Sequence, residues 1–96
     1  MMFVVLLKFS DNGGKASQHM EGHKAWLKHG FDEGVFLLAG SLLPNAGGAI
    51  LAHGATLAAL QARVNVDPFV AEGIVTVEIL EIAPSKTDRR LDFLLP

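Results

Sequence analysis

Apolar residues recur with period two near both ends of the chain and with helical spacing between them. Over residues 3–9, Phe3, Val5, Leu7 and Phe9 alternate with Val4, Leu6 and Lys8. This predicts a β-strand with one wholly apolar face and a second face that is polar only at Lys8. Asp11, Asn12, Gly13 and Gly14 follow as a turn-forming cluster. From about residue 15 to residue 29 the spacing becomes helical. Ala16, Met20, His23, Leu27 and Gly30 share a stripe, with Phe31 beside it, and Lys24 and Lys28 are assigned to the opposite side. Gly30 and Gly34 bracket the predicted helix exit.

Residues 35–43 are apolar on both faces, as in a strand covered on both sides. The run Pro44, Asn45, Ala46, Gly47, Gly48 is a turn, and residues 49–53 form the return strand of a hairpin. Thr56 is placed to cap a second helix over residues 57–64, with Leu57, Leu60 and Val64 along one side. Asp67, Pro68 and Gly73 have the order of an N-cap, a first helical residue and a C-terminal stop, which predicts one short helical turn. Residues 74–82 alternate Val75, Val77 and Ile79 against Thr76, Glu78 and Leu80, and form the last full strand. Residues 84–96 are a tail, polar and then apolar at Leu91, Phe93, Leu94 and Leu95, placed to add a strand or to contact a partner.

The order is therefore βαββαβ, the ferredoxin-like or split βαβ arrangement: an α+β fold with an antiparallel sheet and two helices on one face. At 96 residues the chain is expected to be one domain, 1–96. Half of its residues are hydrophobic and its mean hydropathy is positive. A globule this small has a high surface-to-volume ratio, so part of that apolar surface must lie outside a monomer core. The sheet face without helices supplies such a surface. A second copy packed sheet to sheet would cover it, so a homodimer is expected.

Charge and residue usage narrow the function classes. The net charge is −2 with no basic block, which gives no footprint for nucleic acid. No apolar stretch approaches the ~20 residues of a membrane-spanning helix, so no membrane partner is expected. The apolar run at the start is followed, not preceded, by Lys8, unlike a secretory signal; the expected location is the cytoplasm. Cysteine is absent, which excludes disulfides, thiolate catalysis and cysteine-based zinc sites. Neither G-x-G-x-x-G nor a Walker pattern occurs, so no cofactor is expected.

Candidate chemistry is confined to a few residues. His19 and His23 stand one helical turn apart, but Met20 holds the place where the metalloprotease pattern has Glu, and no third ligand is near. No metal site is expected. His23 falls on the apolar stripe, where an imidazole must be hydrogen-bonded. It is either a satisfied core histidine or a general base, because histidine titrates near neutral pH. Capping alone accounts for Asp67. Ser41, at the end of its strand, is able to hydrogen-bond a ligand or simply the backbone. Chain spacing does not show whether Asp67 meets His23.

At this point two segments resemble a known family. His23, Lys24, Ala25, Trp26 and Leu27, followed by residues 34–40 (GVFLLAG), are similar to the first signature of the YciI-like (YCII) family; residues 67–73 (DPFVAEG) are similar to its second. The likeness runs to about residue 83. It implies a dimeric α+β barrel, in which two ferredoxin-like sheets pair, and a pocket where His23 and Asp67 come together as catalytic groups with Ser41 at the substrate. Two departures stand out: Met20 where many members have arginine, and Ser41 where many have proline. The resemblance implies a His–Asp general acid/base pair carrying out isomerase, lyase or dehydrohalogenase-like proton transfer on a small cyclic or phenolic compound. The alternatives are a non-catalytic small-ligand binding protein and a structural dimeric protein.

Overall fold

The computed structural model describes all residues, Met1–Pro96. Its elements follow the order β1 (Met2–Phe9), α1 (Ala16–Asp32), β2 (Phe36–Leu42), β3 (Gly47–His53), α2 (Leu57–Asn65), α3 (Pro68–Ala71) and β4 (Val75–Ile82). The strands form one antiparallel sheet in the order β2-β3-β1-β4. This is the ferredoxin-like α+β fold that the apolar pattern predicts.

The alternation in β1 sets the two faces. Phe3, Val5 and Leu7 are buried beneath the helices, and their cross-strand partners Ile50, Ala52, Val77 and Ile79 share that face. Leu60 and Val64 of α2 and Ile74 complete a core with no solvent exposure at those three side chains. Each such side chain contributes about 1.5–3 kcal/mol on burial. Thr56 caps α2 as expected, its Oγ1 accepting from the Ala59 amide at 3.1 Å. The C-terminal end of α1 is tied to α2 by Arg63, whose guanidinium donates to Glu33 at 2.8 Å. That hydrogen bond holds the Glu33 carboxyl below its ordinary range.

Four details of the folded chain bear on the sequence-based expectations. Gly30 and Gly34 bracket the helix exit as expected: Gly30 lies in the last turn of α1 against the ring of Phe36, and Gly34, at φ +74°, follows the end at Asp32. Trp26 is a core residue: it is buried, and its indole Nε1 donates to the Arg63 carbonyl at 2.9 Å. Within one chain β2 is covered on its helix side only, and Leu38 on the other side is 53% exposed. The tail adds no strand. Arg89–Leu94 forms a 3₁₀ helix capped by Asp88, with Leu94 buried and Phe93 edge-on to His53, a residue of the face opposite the helices. The amide of Arg90, donating to Asp88, lowers that carboxyl from its usual range.

The pairing of β2 with β3 contains a register shift between Phe36 and Leu38. Phe36 opposes Ala52 on the core face, yet Leu38 opposes Leu51 on the outer face. A one-residue shift inverts every later side chain. Ala39 and Ser41 therefore turn toward the helices, opposite Ile50 and Gly48. Without the bulge, Ser41 would face away from the site described next.

Candidate functional site

A cleft of about 310 Å³ opens between the middle of α1 and the sheet, at the end carrying the β2–β3 turn. Its walls are mostly apolar, including Phe9, Met20, Leu27 and Phe69, and its polar side chains are His23, Lys24 and Ser41. The volume falls within the ~300–1,000 Å³ typical of small-molecule sites.

His23 and Asp67, 44 positions apart, meet at this cleft: His23 Nδ1 lies 2.9 Å from Asp67 Oδ1. The approach has a local cause. Residue 22, beside His23, is glycine, and a Cβ there would stand 3.0 Å from Pro68 Cγ, beside Asp67. The bare backbone lets α3 close against α1 and brings the two side chains within reach.

Asp67 is fully buried and serves twice. Its Oδ1 accepts the Phe69 amide at 3.1 Å as the N-cap of α3, and the same oxygen takes the His23 hydrogen bond. Oδ2 is buried without a partner. The carboxylate is thus compensated on one oxygen only, and the His23 ring is the compensating side chain. Against an ionised carboxylate, which only accepts, Nδ1 carries the hydrogen, and in the neutral ring Nε2 is the atom with the free lone pair. The ring is clamped by parallel stacking on Phe69, with centroids 4.0 Å apart and planes 2° from parallel, and lies 5.8 Å from Trp26. His23 retains 13% side-chain exposure and lines the cleft, whereas Asp67 stands behind it.

Ser41 lies on the sheet side of the cleft, so all three sequence-predicted residues lie at this one place: His23 and Ser41 on its wall, Asp67 behind His23. His19 does not line it, and no group of three metal-ligating side chains forms anywhere in the chain. Lys24 is the residue that sequence reasoning placed wrongly. It lines the cleft instead of facing away. The signal was present: Met20, Lys24 and Leu27 stand at i, i+4 and i+7, the spacing of one helix face.

Fold and cleft together define a small ferredoxin-like α+β protein with a buried histidine–aspartate pair beside an apolar, ligand-sized pocket. The chain belongs to the YCII-related family: the model of the YCII-related domain matches residues 1–83. No curated protein sequence matches it. Among solved structures, it is similar to 5-chloro-2-hydroxyhydroquinone dehydrochlorinase (TftG) from Burkholderia phenoliruptrix AC1100 in complex with 2,5-dihydroxybenzoquinone. The TM-score is 0.74 at 15% sequence identity, covering 85% of this chain and 93% of that one. At that identity the likeness concerns the fold. No helix of the chain is long and apolar enough to cross a membrane.

Proposed function

We propose that this protein is a small-molecule enzyme whose His23–Asp67 pair moves a proton on a small cyclic or phenolic compound, in an isomerisation or elimination. The observation that carries this reading is the 2.9 Å contact between His23 Nδ1 and a fully buried Asp67 at the wall of an apolar cleft. Asp67 fixes the tautomer and Phe69 fixes the ring plane, so Nε2 is the basic atom presented to a ligand. When Nε2 takes a proton from the ligand, the imidazolium forms beside the Asp67 carboxylate, which stabilises it. The electron pair left on the ligand shifts into its ring system. It either expels a leaving group or is reprotonated by the same Nε2–H at another atom. Ser41 is placed to hydrogen-bond a ligand oxygen from the sheet side. The chemistry named for the structurally similar dehydrochlorinase is of this kind and motivates the choice of test compounds.

The test is an NMR titration of the His23 ring with 2,5-dihydroxybenzoquinone, run beside a chloride-release assay on chlorinated hydroxyhydroquinones. Saturable shifts of the His23 resonances with chloride release are expected. Unmoved His23 resonances across such compounds would refute the reading.

The same proposal includes a homodimer. On the sheet face opposite the helices, Leu38, Leu80 and Ile82 are 53%, 45% and 42% exposed; Val4 and Leu51 lie between Leu80 and Leu38 in one cross-strand row, and Leu6, paired with Glu78 and Ala49, adjoins it. The tail touches this face at His53, through the ring of Phe93. A contiguous apolar face of this kind is normally covered, and a second copy offers the matching surface. Sedimentation equilibrium at micromolar concentration is expected to give twice the chain mass of 10.3 kDa; a monomer there removes this part.

A further inference from the structure

We infer that Lys24 makes the cleft selective for an anionic ring compound, an aryl carboxylate or phenolate, by pairing its ammonium with the ligand's negative group. This rests on the reading of the cleft as a small-molecule site and adds the charge of what it takes.

Three observations support it. First, Lys24 has no partner in the chain. Lys28, one helical turn on, is engaged with Asp32 at 2.6 Å, whereas no ion pair or hydrogen bond involves Lys24. Second, no carboxylate lines the cleft. Asp67, the acidic partner of His23, is fully buried behind the imidazole and already accepts two hydrogen bonds through Oδ1. Nothing on the cleft wall therefore neutralises the ammonium. Third, the remaining walls are apolar, so a ligand entering them sheds water, and an ion pair formed at the rim is less screened than one in open solvent.

The arrangement also gives the ligand an orientation. Lys24 follows His23 directly on α1, and Ser41 faces them from the sheet. A ring held with its negative group at Lys24 fills the apolar floor between Met20, Leu27 and Phe9. It then has its edge within reach of the imidazole and of the Ser41 hydroxyl. A neutral ring of the same shape gains the apolar contact alone.

The experiment compares benzoate with its neutral isostere benzamide by calorimetry and by the His23 ring resonances. It uses the intact protein, Lys24→Met, which keeps the apolar stem, and Lys24→Arg, which keeps the charge. The intact protein is expected to prefer benzoate by about tenfold, the scale of one charge-assisted hydrogen bond. Lys24→Met is expected to bring the ratio to about one, chiefly by weakening benzoate, and Lys24→Arg to restore most of it. Equal affinities in the intact protein, or a preference that survives Lys24→Met, overturn the inference. If both probes shift the His23 resonances equally, the anion preference falls and the His23–Asp67 reading stands. If neither probe shifts them, the anion preference falls, and the His23–Asp67 reading is decided by the titration with 2,5-dihydroxybenzoquinone.

Discussion

Replacing His23 with alanine is expected to lower turnover by about 10²–10⁴-fold, the usual contribution of a positioned general acid–base group. The substitution also costs stability. Asp67 is fully buried, and without the imidazole its carboxylate keeps only the Phe69 amide. Leaving a buried polar group under-satisfied costs about 1–3 kcal/mol. A loss of turnover in His23→Ala alone would therefore be open to a folding explanation. His23→Gln separates the two. Its side-chain amide keeps an N–H donor for Asp67 but has no basic nitrogen. The expected pattern is a melting temperature closer to the parent for Gln than for Ala, with turnover lost in both. Undiminished turnover in a folded His23→Gln protein removes His23 from the chemistry.

The second large effect is expected at Gly47→Ala. Gly47 begins β3 with φ +125°, a region that L-residues seldom adopt, and a Cβ there would stand 2.0 Å from the Leu7 carbonyl oxygen. Both penalties fall on backbone, which has little room to give, because β1 is paired on both sides. Strain of this type costs about 1–3 kcal/mol, and overpacking a comparable amount. A loss of about 3 kcal/mol in urea unfolding is the expected result. Gly40→Ala is the control: it lies on the neighbouring strand, and its Cβ would meet nothing within 4 Å. It should change stability by about 1 kcal/mol at most. Equal effects at the two glycines would show that the close approach of β3 to β1 is not a constraint. Gly47 also borders the cleft, so a surviving Gly47→Ala protein is expected to bind cleft ligands more weakly.

The two halves of the candidate site differ in how they could be known. Capping and periodicity act over one or two turns, and the residues that set them are neighbours in the chain. Asp67 before Pro68, Thr56 before Leu57, and the alternation of Phe3, Val5 and Leu7 were therefore readable, and each has its expected role. His23 was readable as an imidazole on an apolar stripe in need of a partner. That the partner is Asp67 came from family likeness, because nothing local connects positions 44 residues apart. Lys24 is exposed, as a helical lysine is expected to be, but its spacing from Met20 and Leu27 puts it on the cleft side of α1. The tail was less readable. Apolar residues at Leu91, Phe93 and Leu94 do not say whether they pair as a strand or fold back. Here Asp88 starts a 3₁₀ helix that buries Leu94.

By itself, the amino-acid sequence determined the element types and their order, the two-faced character of the sheet, and the residue types available for chemistry, because each depends on contacts between near neighbours. The tertiary structure alone decided two things: that the bulge at residue 37 turns Ser41 inward, and that Gly22 lets Asp67 reach His23. Each depends on how closely two distant backbones approach, and that distance is set by packing of the whole core rather than by any local preference.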